Sequence, residues 1–251
     1  MSTEDPMSHP RRSWTVARHR MRVDGVGVLM LWAGFVVAVG VLLLVVAGLG
    51  TVTISAWEQA TQVPRWFAGA MGVYLTAVYL PLYIAHGETR RDVAVQSSVF
   101  AVAYAAILSV LMAAGYGIET LVYGLADWPQ VLQGDHLYGA PDQYPMILLQ
   151  YWLVFLVWMA GGALLGGAFY RRGGLGLLML PVALLMALVV EVALGAQAFG
   201  PLPPPVVERL PVAIVPDTLV GAVGACLAVA AVGAALTWAV VRDLPVRNRV
   251  A

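Results

Sequence analysis

The residues best suited to chemistry or to recognition lie in one short polar stretch, residues 86–93, which reads HGETRRDV. Two carboxylates flank a pair of adjacent arginines, Arg90 and Arg91, and an apolar tract stands on each side. A guanidinium donates several hydrogen bonds in a fixed geometry, so a compact turn that carries both signs of charge suits docking to another protein. An arginine pair is also typical of a short cytoplasmic loop in a membrane protein, which is the simpler interpretation.

The composition indicates that membrane helices position this stretch. Of the 251 residues, 61% are hydrophobic and only 11% are charged, whereas about a quarter of the residues in a soluble domain are charged. All 14 basic residues are arginine, so the lysine that a P-loop needs is absent. We therefore expect that this chain binds no cofactor itself and that any ATP chemistry comes from a partner.

Six apolar tracts reach the length of about 20 residues that a transmembrane helix needs. Backbone polar groups in lipid must be bonded within the segment, so each tract is predicted to be helical. The expected fold class is all-α, with a six-helix transmembrane domain at 25–241 between an N-terminal segment, 1–24, and a tail, 242–251. The predicted spans are 26–49, 66–85, 94–115, 146–169, 174–197 and 213–241.

The arginines are distributed unequally over the two sides of the predicted bundle. Twelve of the fourteen fall in the N-terminal segment, in the loops after spans 2 and 4, and in the tail, whereas only Arg65 and Arg209 fall in the opposite loops. Cytoplasmic loops collect positive charge, so both termini are predicted to be cytoplasmic. Arginine without lysine is typical of a high-GC bacterial genome, and the expected location is the bacterial plasma membrane.

Three segments outside the spans have patterns of their own. Residues 10–24 place apolar side chains on one helical face and arginines on the others, which predicts an interfacial helix or a simple positively charged flank. In the loop 116–145, apolar residues recur at helical spacing, which predicts a second interfacial helix that ends at Pro129. The proline-dense loop 199–216 cannot form one regular helix, and we expect it to dip toward the outer leaflet.

The polar stretch resembles the loop between spans 2 and 3 of the permease subunits of ABC-2 type transporters, especially the short six-span permeases of actinobacteria. In that family the loop looks like G-x-[ST]-R-R-x-hydrophobic. The resemblance implies a type V exporter-like transmembrane domain and a coupling element that docks on a cytoplasmic ABC ATP-binding subunit. The residues that match are Gly87, Glu88, Thr89, Arg90, Arg91, Asp92 and Val93.

The same resemblance implies the partners and the division of labour. Two permease copies, or this chain and a paralogue, would form the pathway across the bilayer. ATP and Mg would be bound by the partner subunit, so this chain is expected to be a transport subunit and not an enzyme. No nucleic-acid partner is expected.

Spans 2 and 5 line the cavity in the resembled family, which makes their polar residues the expected substrate path. For the tyrosines of span 2 the alternative is packing at the membrane interface. The carboxylate of span 5, in LMALVVEVALGAQ, lies well inside its span, and its alternative is a hydrogen-bonded position near the outer boundary. The substrate-path residues are Tyr74, Thr76, Tyr79 and Glu191.

Two other functions stay open. A non-transporting membrane scaffold or immunity protein would use HGETRRDV only as a topology marker. An intramembrane enzyme would depend on Glu191, although the four histidines are scattered and form no paired metal-ligand spacing. As cargo, an apolar pathway would suit a lipid, a hydrophobic drug or an amphipathic peptide.

Overall fold

The computed structural model describes residues 15–134, 136–195 and 218–243. Within these ranges the chain is helical with short connections and contains no strand, which confirms the expected all-α class. In chain order the helical segments are α1 (Thr15–Leu49), α2 (Ala56–Ala60), α3 (Gln62–Tyr74), a π-helical segment (Leu75–Tyr79), α4 (Leu80–Ala85), α5 (Arg90–Ala126), α6 (Tyr144–Arg172), a 3₁₀ segment (Gly173–Met179), α7 (Leu180–Leu194) and α8 (Leu219–Val241).

Five helical segments of the described chain are long and apolar enough to cross a membrane, as in a multi-pass membrane protein. The fourth segment contains both α6 and α7, whereas the sequence predicts two separate spans, 146–169 and 174–197, in this region. The segments are Val26–Leu49, Ala56–Ala85, Arg90–Ala126, Tyr144–Leu194 and Leu219–Val241.

The described part of the N-terminal region belongs to the first long helix. Helix α1 begins at Thr15 and runs without a break to Leu49, so it continues through the expected boundary between the segment 1–24 and the first span. Its Trp32 indole donates to the carbonyl of Leu111 on α5 at 3.0 Å. The proline-dense loop 199–216 and the tail after Asp243 lie outside the described residues.

The second apolar segment begins earlier than predicted and is broken by caps and prolines. The Ser55 side chain caps α2, and Thr61 separates α2 from α3. Pro81 follows the π-helical segment; because proline donates no backbone hydrogen bond, a local change of helical pitch just before it is expected. The assignment of Arg65 to a loop is wrong, because Arg65 lies on α3 and is buried.

The expected interfacial helix in the loop 116–145 is also wrong. Residues 116–126 continue α5, which has 37 residues and a length of about 55 Å. No proline precedes Pro129 in this stretch, and one face of the extension, with Tyr116, Glu119 and Tyr123, is buried. The helix ends at Ala126, and the next residue, Asp127, has a left-handed backbone with φ of 55°.

Helix α6 is the centre of the bundle and packs against α3, α5, α7 and α8. Its contact with α3 depends on glycines that allow the two backbones to touch. A Cβ atom on Gly162 would lie 2.0 Å from the Gly69 carbonyl oxygen, and one on Gly166 would lie 2.5 Å from the Val73 carbonyl oxygen. Small residues spaced four apart, here Gly162 and Gly166, are what allows two membrane helices to approach so closely.

Helix α7 runs antiparallel to α6. The chain reverses at Gly173, which has φ of 59°, and Gly176 then lies against Phe169 while Gly161 lies against Ala183. Helix α8 runs parallel to α6, because Gly167 lies next to Val241 and Gly233 lies next to Ala160. The first residues of α5 and the last residues of α6 and α8 therefore meet at one end of the bundle.

This end, here called the arginine end, carries the arginines of the described loops. Arg90 at the start of α5 donates to the carbonyl of Arg242 at 3.1 Å, and Arg171 at the end of α6 donates to the carbonyl of Val240 at 3.1 Å. The grouping expected from the arginine distribution is thus present among the described loop arginines.

Candidate functional site at the arginine end

The polar stretch forms a tight turn between α4 and α5. Helix α4 closes with hydrogen bonds from Gly87 N to the Ile84 carbonyl at 3.0 Å and from Glu88 N to the Tyr83 carbonyl at 3.1 Å. Gly87 has φ of 91°, a conformation that residues with a Cβ rarely adopt, so glycine is required for the reversal. The imidazole of His86 is bonded to the Leu82 carbonyl at 2.7 Å.

A reciprocal cap holds the other side of the turn. Thr89 Oγ1 accepts a hydrogen bond from Asp92 N at 3.2 Å, and it donates to Asp92 Oδ2 at 2.6 Å. The carboxylate in the first turn of α5 also interacts favourably with the positive end of the helix dipole. Hydrogen bonds within the turn therefore fix both of its ends. We call it a stiff turn for this reason.

The two arginines of the turn have different environments. Arg90 is partly buried and is bonded to the end of α8. Arg91 is exposed, and its guanidinium makes no hydrogen bond or ion pair with any residue that the structure describes. Arg90 therefore contributes to the architecture, whereas Arg91 is available for a ligand or a partner.

Arg91 lines a cavity of about 680 Å³ that lies among the π-helical segment, α4, α5, α6 and α8. Most of the wall is aliphatic. Three hydroxyl groups of the wall are already bonded to backbone carbonyls: Thr76 to Ala163 at 2.8 Å, Ser98 to Ala94 at 3.0 Å, and Thr237 to Gly233 at 2.8 Å. The cavity thus offers an apolar interior with a cation among its lining residues.

The expected substrate-path residues do not come together. Thr76 lines the cavity, but Tyr74, Tyr79 and Glu191 do not. The Tyr74 ring packs edge-on against Tyr79, with ring centroids 4.7 Å apart, and Tyr79 lies 6.0 Å from Tyr83. These rings form an aromatic row along span 2, and Tyr74 is exposed on its surface.

Glu191 lies in a buried ion pair at another level of the bundle. Its Oε2 is 3.4 Å from Arg65 Nη1, and its Oε1 accepts a hydrogen bond from the Trp158 indole at 3.1 Å. Glu191 is one turn before the left-handed Gly195 that ends α7. The three side chains join α3, α6 and α7, a geometry that positions helices. Sequence reasoning missed Arg65, for which the signal was an arginine at the start of a strongly apolar tract.

The end opposite the arginine end is closed by a polar cluster. The Glu58 carboxylate accepts hydrogen bonds from Gln133 N at 2.9 Å and Gly134 N at 2.9 Å, and it pairs with His136 Nε2 at 2.8 Å. His136 Nδ1 in turn lies 3.0 Å from Gln150 Nε2. The cluster fastens the loop between α5 and α6 onto the start of the second segment.

A second part of the cluster lies on α5. The Glu119 carboxylate accepts hydrogen bonds from Ser55 Oγ at 2.7 Å, from Trp57 N at 2.8 Å and from Gln130 Nε2 at 2.7 Å. These partners satisfy a carboxylate that is only 6% exposed. The sequence signal was present, because Glu119 stands alone in an apolar run, but its partners come from two other segments.

Three tyrosine hydroxyls, from α5, from this loop and from α6, lie close together. Tyr116 is 2.7 Å from Tyr138 and 3.2 Å from Tyr151, and the Tyr138 ring stacks on His136 with centroids 4.7 Å apart. Burial raises the pKa of the Tyr138 phenol well above its ordinary value, so this hydroxyl stays neutral. No group of three His, Cys, Asp or Glu side chains suited to a metal ion occurs among the described residues.

The fold and the site define an all-helical protein with apolar helices of membrane-spanning length, a stiff charged turn and an apolar cavity beside it. The chain matches no family model, no curated protein and no solved structure.

Proposed function

We propose that the chain is the permease subunit of an ATP-driven exporter of the ABC-2 type and that its turn, residues 87–92, docks on a separate cytoplasmic ATP-binding subunit. The observation that carries the proposal is the position of Arg91. It belongs to the stiff turn, and it also lines the apolar cavity. A force on the turn is therefore applied directly to the wall of a space that can hold cargo.

In this proposal the segment Tyr144–Leu194 crosses the membrane twice, which gives six crossings. The 3₁₀ segment and α7 together have a length of about 36 Å, which exceeds the hydrocarbon thickness of about 30 Å. Because α7 runs antiparallel to α6, the second crossing returns the chain to the opposite end. Both termini then lie at the arginine end, which the positive-inside rule assigns to the cytoplasm of a bacterial plasma membrane.

The hydrogen bonds at the arginine end provide a mechanical path. Arg90 ties the turn to the end of α8, and Arg171 ties the end of α6 to the same turn of α8. Displacement of the turn by a closing ATP-binding subunit then moves the ends of three helices together. Rigid elements of this kind are what convert a local contact into a change between two states.

The proposed partners follow from this arrangement. A second copy of the chain, or a paralogue, completes the pathway in the bilayer, while ATP and Mg are bound by the ATP-binding subunit. Arg91 and Glu88 present opposite charges on the turn and supply the contacts to that subunit. Charged contacts of this type give orientation and specificity more than affinity.

The proposal is tested with an ATP-binding subunit, which it predicts to be encoded beside the gene of this chain. The two are co-expressed and purified together, and ATP hydrolysis is measured in nanodiscs. Arg91→Gln is expected to lower the stimulation of hydrolysis by the permease several-fold, with insertion unchanged.

The matched control is Arg172→Gln, which removes an exposed arginine from the same end but outside the cavity. It is expected to leave the stimulation unchanged. The alternative, a non-transporting scaffold or immunity protein, predicts no difference between the two variants. If no ATP-binding subunit co-purifies, the proposal is wrong.

A further inference from the structure

The cavity opens sideways, between α5 and α8. Both helices pack closely on α6, but they make few contacts with each other, and this leaves the gap. Val99 and Val102 of α5 and Leu227 and Trp238 of α8 line the cavity, and each of them is 40 to 44% exposed. These exposed apolar side chains are on the outer surface of helices of membrane-spanning length, so the opening faces the lipid.

The interior of the gap suits a hydrocarbon chain. Its wall is largely aliphatic, and the hydroxyls of Thr76, Ser98 and Thr237 donate to backbone carbonyls, which leaves Ser97 as the one lining hydroxyl without a hydrogen bond among the described residues. A polar ligand group placed there would lose its hydration and gain few partners. The volume of about 680 Å³ lies within the range of roughly 300–1,000 Å³ that is usual for small-molecule sites.

The arginine end of the gap suits an anion. Arg91 is the only charged residue of the lining, and its exposed guanidinium makes no hydrogen bond or ion pair within the part of the chain that the structure describes. A guanidinium matches the geometry of a phosphate and is weakly hydrated. The site therefore complements an anionic phospholipid. Its apolar interior matches the acyl chains, and its cationic mouth has the charge opposite to that of the head group.

We propose that this cavity is a binding site for one anionic phospholipid of the leaflet at the arginine end, with an acyl chain between α5 and α8 and its phosphate on Arg91. The inference goes beyond the proposed function, because lipid binding needs neither an ATP-binding subunit nor transport. A chain that coupled to no ATPase would still show the site, and a coupled chain could lack it.

Trp238 provides a reporter inside the site. The protein is placed in bilayers that contain phosphatidylglycerol or phosphatidylcholine with brominated acyl chains, and the quenching of tryptophan fluorescence is measured. The quenching of Trp238 itself is obtained as the difference in quenching between the native protein and Trp238→Phe. Brominated phosphatidylglycerol is expected to quench Trp238 at a lower mole fraction than brominated phosphatidylcholine does.

The head-group contact is tested with Arg91→Gln. One arginine near an anionic membrane surface changes the binding of an anionic lipid by about five-fold, so the preference for phosphatidylglycerol should fall by about that factor. Arg172→Gln, at the same end but outside the cavity, should keep the preference.

The acyl-chain contact is tested with two neighbouring residues of α8, both exposed alanines. Ala234 lines the cavity and Ala235 does not. Ala234→Phe fills the gap and should weaken the quenching of Trp238 by either lipid, whereas Ala235→Phe should leave it unchanged. This pair keeps the test valid if Arg91→Gln fails to insert.

Equal quenching of Trp238 by the two lipids in the native protein would overturn the proposal. So would equal effects of Arg91→Gln and Arg172→Gln, or of the two phenylalanine variants. Absence of Trp238 quenching by both lipids would mean that another occupant, such as a second copy of the chain, fills the cavity, and this result also contradicts the proposal.

Discussion

Arg65 Nη1 lies 3.4 Å from Glu191 Oε2, and the two side chains are only 1% and 3% exposed. The contact joins α3 to α7, while the Trp158 indole of α6 donates to the other oxygen of the same carboxylate. Three helices are therefore fixed relative to one another by one buried anion and its partners. The effect of removing the ion pair on the free energy of unfolding is therefore the first prediction.

Removal of one partner of this pair should lower the free energy of unfolding much more than removal of both partners does. Arg65→Leu leaves a buried carboxylate without its cation, which is expected to lower the free energy of unfolding by about 3–5 kcal/mol. The double variant Arg65→Leu with Glu191→Leu leaves no buried charge and should be more stable than Arg65→Leu alone. The measurement is unfolding by SDS in mixed micelles.

Arg172→Gln serves as the control for loss of an arginine, and as an exposed substitution it should change the stability by about 0.5 kcal/mol or less. If Arg65→Leu is no more destabilising than this control, the side chains do not interact as described. A double variant whose effect equals the sum of the effects of Arg65→Leu and Glu191→Leu, each measured singly, would also contradict the coupling.

The close contact of α3 with α6 should be intolerant of even one methyl group. A Cβ atom on Gly72 would lie 2.1 Å from the carbonyl oxygen of Met159, which is backbone and cannot rotate away. Gly72→Ala is therefore expected to lower the free energy of unfolding by about 1–3 kcal/mol, as overpacked cores do.

The matched control is Gly224→Ala on α8, where an added Cβ atom meets nothing within 4 Å. This variant should be neutral or slightly stabilising, because alanine favours a helix over glycine by roughly 0.5–1 kcal/mol. Equal stability of Gly72→Ala and Gly224→Ala in the same SDS titration would show that the two helices are not in backbone contact.

The loop between α5 and α6 should open when its carboxylate anchor is removed. Glu58→Ala leaves two backbone N–H groups and His136 without their acceptor, at a cost of about 1.5–3 kcal/mol for each hydrogen bond to a charged group. Limited proteolysis of the protein in nanodiscs should then cut within residues 127–143 faster than in the native protein.

Gln59→Ala provides the comparison, because Gln59 is exposed and bonds only to the exposed Gln133 among the contacts that the structure gives for it. Its cleavage rate should stay near that of the native protein. Faster cleavage in Gln59→Ala than in Glu58→Ala would be incompatible with an anchoring role of Glu58.

The cap of α5 gives a way to separate stability from coupling. Thr89 caps α5, and Thr218 caps α8 with the same type of bond, from Gly221 N at 3.1 Å. Thr89→Ala and Thr218→Ala should each cost about 1 kcal/mol of stability. Only Thr89→Ala loosens the turn, so only this variant should reduce the stimulation of ATP hydrolysis. If both variants lose the same amount of stimulation, the loss comes from lower stability and not from the turn.

Some of these features could be predicted from the sequence, and they are the local ones. The close packing of α6 can be inferred from Gly162 and Gly166, because i and i+4 positions share one face of a helix whatever surrounds it. The turn at Gly87 could be predicted for a similar reason, since a glycine followed by a threonine cap is a local signal.

The long-range features could not be predicted in the same way. Arg65 was assigned to a loop because a charge at the start of an apolar tract normally marks the boundary of a span, and its partner Glu191 is distant in the chain. The polar residues of 116–126 lowered the hydropathy and predicted a surface helix. In the structure, Ser55 and Gln130 satisfy Glu119, and that stretch is the last part of α5, with one face buried.

The central claim, that force enters at the turn between α4 and α5, is tested most directly by cross-linking. Glu88→Cys is made in a Cys226→Ser background, and a short thiol cross-linker is applied to membranes that contain the ATP-binding subunit. Gln133→Cys, in the loop at the opposite end, is the control.

The account predicts a cross-linked product between the ATP-binding subunit and the Glu88→Cys chain, with a yield that changes between the nucleotide-free and ATP-bound states, and no product with Gln133→Cys. A product with Gln133→Cys alone, or labelling of the Glu88→Cys thiol only from outside the cell, would contradict it.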